Sequence, residues 1–116
     1  MRRAIRKSAY FLGDLETQFR WYEEEAGWEV AWRYLLAVDQ TLGRLAEHSD
    51  LGRLRHFSHP ELQGLRSFLV ARPFHRHLIF YRHDDANLYA LRVMHGARDL
   101  PRRLGQPPSG ESEQPQ

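Results

Sequence analysis

The chain has 116 residues, no cysteine, 41% hydrophobic residues and 28% charged residues. This length suits one globular domain with one core, and the missing cysteines exclude disulfides, thiolate metal sites and a cysteine nucleophile. No apolar run approaches the roughly 18 to 20 residues of a membrane span, and the basic N-terminus lacks the apolar core of a secretory signal. We therefore expect a cytoplasmic protein that makes no contact with a membrane.

Charge is unevenly distributed along the sequence. Residues 1–50 hold 7 basic and 9 acidic residues, whereas residues 51–104 hold 10 basic and 4 acidic residues together with six of the seven histidines. The second half is therefore a candidate surface for phosphate groups or for an acidic protein. Residues 105–116 contain only Gly, Gln, Pro, Ser and Glu. We expect this tail to be disordered because it has no apolar side chain to bury, which leaves residues 1–104 as the folded domain.

Two amphipathic helices are predicted in the first half of the chain. Apolar residues recur at steps of three and four over residues 8–26, and again over residues 28–48, which is the spacing of one helix face. Only Gly27 separates the two segments, and so short a connection predicts an antiparallel hairpin. Of the three tryptophans near the turn we expect two to pack inside the hairpin and one to be exposed to a partner. They are Trp21, Trp28 and Trp32.

After Gly64 the apolar period changes from about 3.6 to 2, and β-branched and aromatic residues become frequent. Three strands are predicted, over residues 66–72, 75–83 and 88–95, with a weaker N-terminal strand over residues 2–7. Short links between consecutive strands favour an antiparallel meander. The predicted fold class is α+β in the order β-α-α-β-β-β, with the helix hairpin packed on a three- to four-stranded, mainly antiparallel sheet.

Five segments follow one another with compatible spacing: residues 42–48 (LGRLAEH), 51–53 (LGR), 64–68 (GLRSF), 78–82 (LIFYR) and 92–100 (RVMHGARDL). Together they resemble the RelE/ParE family of bacterial type II toxins, and most closely its ParE branch. The resemblance covers roughly residues 4–104, and the HGARD sequence is its most distinctive part. It implies a toxin that forms a hetero-oligomer with a neutralising antitoxin, either ParD-like or of another class.

The two branches of the family imply different targets. ParE-like members poison DNA gyrase, whereas RelE-like members cut mRNA on the ribosome. The C-terminal end of the fold reads RDLPRRL over residues 98–104, without the Tyr or His that RelE-like nucleases commonly carry there. We therefore expect a gyrase-binding toxin with no catalytic residue and no cofactor. Target contact is assigned to three arginines of this end, which are Arg98, Arg102 and Arg103.

Two alternatives remain open from the sequence. An mRNA endonuclease needs a base, a donor for the leaving oxygen and positive charge beside the phosphate. The candidates for these roles are Arg66, Arg72, Tyr81, Arg92 and His95. For Tyr81 a structural role as a strand aromatic under the helices is favoured. The other alternative is a chain that has lost toxicity and acts as a co-repressor, reaching operator DNA only through the antitoxin.

The resemblance also implies where the antitoxin binds. A disordered antitoxin tail is expected to fold along the toxin, over the exposed side of the helix hairpin. The expected anchors are Phe19, Trp21, Tyr22, Trp28 and Trp32.

The histidines of the second half are candidate metal ligands. His75 and His77 are two residues apart on a predicted strand and would share one face, and His83 follows. A usable site needs three or four ligands with supporting contacts, and no acidic residue stands at a suitable spacing. We therefore predict no metal site.

Overall fold

The computed structural model describes residues 2–96 and 100–108. A helix hairpin, α1 (Ala9–Ala26) and α2 (Trp28–Glu47), covers one face of a sheet. The strands are β1 (Ala4–Lys7), β2 (Arg53–Leu54), β3 (Arg66–Leu69), β4 (His77–His83) and β5 (Asn87–His95). Single turns of 3₁₀ helix span Ser49–Leu51 and Pro60–Leu62, and a short helix, α3 (Leu100–Leu104), follows the last strand. The predicted α+β fold class and element order are confirmed.

The sheet has five strands in the order β1-β5-β4-β3-β2. The three pairs formed by β2 to β5 are antiparallel, whereas β1 pairs with β5 in parallel, so the sheet is mixed. The parallel pair follows from topology, because the helix hairpin returns the chain across one face of the sheet before the meander begins. The expected N-terminal strand therefore exists and lies at one edge.

One short strand was not predicted, and the facing ends of β3 and β4 differ from the prediction by two or three residues. β2 was not predicted, because two residues are too few to show an alternating pattern. β3 ends at Leu69 instead of residue 72, and β4 begins at His77 instead of residue 75. The reason is a turn between them, in which the Phe74 N–H donates to Ala71 O and the His77 N–H donates to Phe74 O, each at 3.0 Å. His75 therefore precedes the strand and does not share a strand face with His77.

The start of α1 is fixed by Ser8. Its Oγ accepts the Phe11 N–H at 3.0 Å, as a helix N-cap does, and donates to Leu91 O at 2.8 Å. The chain turns between the helices at Gly27, whose φ of +94° is strained for any residue with a Cβ. Both predicted helices are confirmed. The expectation that two tryptophans pack inside the hairpin is wrong, because Trp28 and Trp32 both lie on the exposed side of α2.

The main core lies between the hairpin and the sheet, and a smaller apolar cluster lies on the opposite face of the sheet. Tyr81 belongs to the main core and is fully buried. Its hydroxyl donates to Ser49 O at 2.6 Å and accepts the Gly52 N–H at 2.8 Å. A Cβ at Gly52 would lie 2.2 Å from this hydroxyl, so the loop after α2 requires glycine there. Tyr81 is a structural strand aromatic, as expected.

Residues 105–108 continue from α3 toward α1. A Cβ at Gly13 would lie 2.6 Å from Pro108 Cγ, so the proline ring sits directly on this glycine. The remaining residues of the predicted disordered tail lie outside the described part of the chain, and the prediction for that tail stays a prediction. None of the described helices combines the length and apolarity needed to cross a bilayer.

Removing the Tyr81 hydroxyl tests the anchoring of this loop. We expect Tyr81→Phe to lower the free energy of unfolding by about 2–3 kcal/mol, because the buried Gly52 N–H and Ser49 C=O lose their partner. Urea unfolding followed by circular dichroism measures the change. Tyr10→Phe is the control, since Tyr10 is 41% exposed. An unchanged midpoint for Tyr81→Phe would contradict the assignment.

Candidate functional site

Arg92 joins three segments at the C-terminal end of the fold. Its Nε and Nη2 donate to Oδ2 and Oδ1 of Asp14, both at 2.8 Å, and the two side chains are only 6% and 9% exposed. Its Nη1 donates to Arg103 O at 3.2 Å, to Leu104 O at 3.1 Å and to Gln106 O. One guanidinium therefore connects α1 and β5 to the last carbonyls of α3, which a helix end leaves without intrahelical partners.

Asp14 also completes the edge of the sheet. β1 reaches only as far as Ala90 of β5, so the following residues of β5 have no neighbouring strand on that side. The Asp14 carboxylate accepts the Val93 N–H at 3.0 Å, and Ser8 Oγ donates to Leu91 O. Burial raises the pKa of the Asp14 carboxyl, and the Arg92 side-chain donors oppose that shift. The side chains of the N-cap Ser8 and of Asp14 in α1 thus occupy the place of a missing strand.

The predicted target-binding arginines belong to this end of the molecule. Arg98 lies outside the described residues. Arg102 is exposed, and Arg103 is half-buried with its Nη2 donating to His95 O at 3.3 Å. Leu104 is 7% exposed and packs into the smaller apolar cluster. The orientation of α3 is therefore set by a buried leucine and by the Arg92 contacts, and α3 carries two of the three arginines.

Two of the nuclease candidates are unavailable for chemistry. The Tyr81 hydroxyl is buried and engaged by backbone, and burial raises the pKa of this phenol. The Arg92 guanidinium is occupied by its ion pair. The two also lie on different faces, because Tyr81 is in the main core and Arg92 pairs in register with Phe80 of the opposite cluster. The sequence favoured a structural role for Tyr81, but it did not distinguish the buried Arg92 from a surface cation.

The remaining nuclease candidates are not all at one end of the sheet, because Arg66 pairs with Tyr81 near one end of β4 and His95 pairs with His77 at the other. Arg66 donates to Gly52 O at 2.8 Å and lies 3.6 Å from the Asp50 carboxylate. Arg72 is exposed in the turn before β4. His95 is half-buried at the end of β5, and its pKa is lowered by burial and by the nearby charges of Arg76 and Arg103. The geometry does not bring this set to one phosphate-sized site.

A buried histidine lies beneath α1. His77 is 1% exposed, its Nε2 is 2.8 Å from the Tyr22 hydroxyl, and its ring centroid is 4.8 Å from that of Tyr34 and 5.0 Å from that of His95. Burial lowers the pKa of His77 to about 3, so its imidazole is neutral. Within residues 2–96 and 100–108, no group of three or more His, Asp or Glu side chains is arranged to hold a metal ion.

The five predicted antitoxin anchors differ in accessibility. Tyr22 packs edge-on against Phe74 at 5.4 Å and is part of the hairpin packing. Phe19 and Trp21 are half-buried. Trp28 and Trp32 are 66% and 52% exposed on the outer side of α2.

Leu36 is a further exposed apolar residue on α2, at 48%. It follows Trp32 by four residues and therefore shares its helix side. Sequence reasoning missed it, although its spacing of four residues from Trp32 and eight from Trp28 is visible in the sequence.

A separate groove of about 330 Å³ opens on the sheet face away from the hairpin. Its floor is Phe80 and Leu91, and its walls come from Leu62 of a 3₁₀ turn, Leu104 of α3 and Tyr10 of α1. The position of α3 therefore defines one wall of this groove.

Breaking the buried ion pair tests its role in holding α3. We expect Arg92→Met to lower the free energy of unfolding by about 3–5 kcal/mol, since Asp14 is left as an unpaired buried charge. The double variant Asp14→Leu/Arg92→Met is expected to be more stable than Arg92→Met alone. Chemical denaturation of wild type, both single variants and the double variant gives the coupling energy. Strictly additive effects would contradict a direct pair.

The buried His77 predicts a loss of stability in acid. An unfolded histidine binds a proton below a pKa of about 6.5, whereas His77 binds one in the folded protein only near pH 3. The neutral His77 therefore adds to the free energy of unfolding, fully so above pH 6.5, and this stabilisation is lost as the pH falls toward 3. Between pH 7.5 and 5.5 the loss is about 1.4 kcal/mol. Urea unfolding at both pH values should show a smaller change in the free energy of unfolding with pH for His77→Gln than for wild type. The control His48→Gln, at an exposed position, should show the same change as wild type. Equal dependence in all three chains would overturn the prediction.

Comparison with known proteins agrees with this fold. The family model described as the ParE toxin of the type II toxin-antitoxin system parDE matches residues 5–100. A solved structure, described as the chromosomal ParDE TA system from P. aeruginosa, superposes with a TM-score of 0.66 at 17% identity, covering 83% of this chain and 98% of that chain. Comparison with individually curated proteins finds no matching sequence. Because the family model spans most of the chain, the protein belongs to the ParE toxin family of type II toxin-antitoxin systems.

Proposed function

We propose that this ParE-family toxin acts by binding DNA gyrase and that a cognate antitoxin neutralises it. One observation carries the proposal. Two of the residues that a nuclease would need are buried and already hydrogen-bonded within the fold: the Tyr81 hydroxyl to the backbone and the Arg92 guanidinium to Asp14. Because these candidates for RNA cleavage have structural roles, the chain is better suited to act by binding a target protein than by cutting RNA. This supports the gyrase-binding alternative over a ribosome-dependent mRNA endonuclease.

The proposed target-contact surface is the C-terminal end of the fold. α3 presents Arg102 to solvent and carries Arg103 beside it, and Arg98 precedes the helix in the sequence. Guanidinium groups bind carboxylates and phosphates through paired donors, so this end suits an acidic surface of a protein–DNA complex. The ion pair of Asp14 and Arg92 fixes the helix before any target is bound, which reduces the ordering cost of association.

The proposed antitoxin surface is the outer side of the helix hairpin. The P. aeruginosa structure is described as a ParDE system, and an exposed apolar surface on this chain fits a partner of that kind. Trp28 and Trp32 are the strongest anchors because they are the most exposed aromatic side chains of the described part. In this proposal the complex is cytoplasmic, and operator DNA is reached only through the antitoxin.

A gyrase reaction tests the proposed target. Purified chain is titrated into gyrase, relaxed plasmid and ATP, and lost supercoiling and linear DNA are scored. We expect linear DNA to accumulate and to disappear when the co-purified antitoxin is added, because an occupied toxin is withheld from its target. A primed translation extract with the same chain serves as the comparison and should show no new mRNA ends.

The two assays separate the alternatives. New mRNA ends without any effect on gyrase would support the endonuclease and overturn the proposal. No effect in either assay, together with harmless expression of the folded chain in the absence of antitoxin, would support the inactive co-repressor.

A further inference from the structure

Basic side chains collect at the end of the sheet that carries α3. The turn between β3 and β4 contains Arg72 and Arg76, which are both exposed. α3 contributes Arg102 and Arg103, and the last residue of β5 is His95. We call these five residues the cationic patch.

Hydrogen bonds bring the turn, the end of β5 and α3 together. The Gly96 N–H donates to Arg76 O at 3.0 Å, and Arg103 Nη2 donates to His95 O at 3.3 Å. The Arg92 guanidinium holds the last carbonyls of α3. Burial, and after it the positive charges of Arg76 and Arg103, lower the pKa of His95. The cations of the patch therefore lie close enough for their electrostatic fields to add.

Little negative charge offsets the patch. The segments that build it, residues 70–77, 92–96 and 100–104, contain five arginines and no aspartate or glutamate. The carboxylate that reaches this end from α1 is already paired with Arg92. Among residues 2–96 and 100–108, Arg72 and Arg76 form no ion pair. The patch therefore keeps its positive charge in the folded protein and attracts an anion from outside.

The composition of the patch indicates which kind of anion it meets. The centre of a protein–protein interface is rich in aromatic and other apolar side chains and poor in charge. In the described part of the chain, the exposed large apolar side chains all lie outside the segments that build the patch. Interfaces with nucleic acid are instead polar and strongly positive. Four of the five patch residues are arginines, whose paired donors match phosphate oxygens. This chemistry favours a phosphate backbone over an acidic protein.

We propose that the cationic patch binds the phosphate backbone of duplex DNA without reading its base sequence. The part that this contact plays in poisoning rests on the proposed function, in which the patch meets the DNA that gyrase holds. Contacts to both components of a gyrase–DNA complex act as linked binding sites, so the complex is a tighter target than gyrase alone. Phosphate contacts position a protein on DNA but carry no sequence information, so operator recognition stays with the antitoxin.

Binding to DNA in the absence of gyrase tests the proposal. A fluorescein-labelled duplex is titrated with the full chain between about 50 and 200 mM KCl, and anisotropy gives the association constant. We expect two unrelated sequences to bind equally. The logarithm of the association constant should fall with the logarithm of the salt concentration with a slope of about −3 or steeper, because each phosphate contact contributes about −0.9.

A competitor distinguishes DNA from an acidic protein. Unlabelled polyglutamate is compared with unlabelled duplex at the same concentration of negative charge. We expect polyglutamate to displace the labelled duplex at least about tenfold less effectively, because the closely spaced phosphates of a duplex release more condensed counterions on binding.

Two double variants with the same loss of charge locate the surface. Arg72→Ala/Arg76→Ala removes two arginines of the patch, and the control Arg20→Ala/Arg33→Ala removes two exposed arginines of the hairpin. We expect the patch variant to bind DNA about tenfold or more weakly, with a salt slope shallower by about 2, because two phosphate contacts are lost. The control should stay within about twofold of wild type. All four positions are exposed, and thermal unfolding verifies that both variants are folded.

Three results would overturn the proposal: no salt-dependent binding of DNA, equal displacement by polyglutamate, or an equal loss of affinity in the patch and control variants. These outcomes are separable from the gyrase reaction, because DNA binding is measured without gyrase. A chain that binds DNA through the patch but does not poison gyrase contradicts only the proposed target. Conversely, a chain that poisons gyrase but does not bind DNA contradicts only the assignment of the patch.

Discussion

The buried ion pair between Asp14 and Arg92 is the interaction on which the arrangement of the other segments depends. Removing two charges from water is costly, and it is tolerated only where the remaining donors and acceptors are also satisfied. Here all three guanidinium nitrogens donate, and the carboxylate additionally accepts the Val93 N–H. The pair closes the edge of β5 and attaches α3. Without it, the last β-strand and the C-terminal helix would lose their common support.

This arrangement places two different surfaces at different parts of one small domain. The helix hairpin presents the exposed Trp28 and Trp32 together with exposed glutamates near its turn, whereas the C-terminal end presents arginines on α3. A toxin has to meet both a neutralising partner and a target, and opposite charge on the two surfaces allows each partner to be selected separately. The groove beside α3 lies on the sheet face away from the hairpin, which extends the C-terminal surface.

The helices and the long strands could be predicted because their apolar periods are carried by many residues. β2 could not, since its two residues gain their conformation from pairing with Ser67 and Arg66. The number of exposed tryptophans was not predicted correctly: one was expected, and the structure exposes both Trp28 and Trp32, because α2 buries Ala31 and Tyr34 instead. Short-range patterns report which side of an element is apolar, but not which of two apolar sides meets the core.

The candidate site was the least predictable part. Asp14 and Arg92 are 78 positions apart, and nothing in the local sequence marks either as one of a pair. Arg92 therefore resembled a surface cation suited to phosphate, and the number of arginines in the second half strengthened that impression. The family resemblance gave the correct fold and toxin class, since its segments include parts of α2, β3, β4 and β5.

The most direct test of this account measures one variant in two assays. In Arg102→Ala/Arg103→Ala, verified as folded by thermal unfolding, gyrase poisoning and antitoxin affinity are determined side by side with wild type. The account predicts that poisoning is lost while the antitoxin dissociation constant stays within about twofold, because the proposed target contact is on α3 and the proposed antitoxin contact is on the hairpin. Full poisoning by the folded variant, or a large loss of antitoxin affinity, would contradict the separation of the two surfaces.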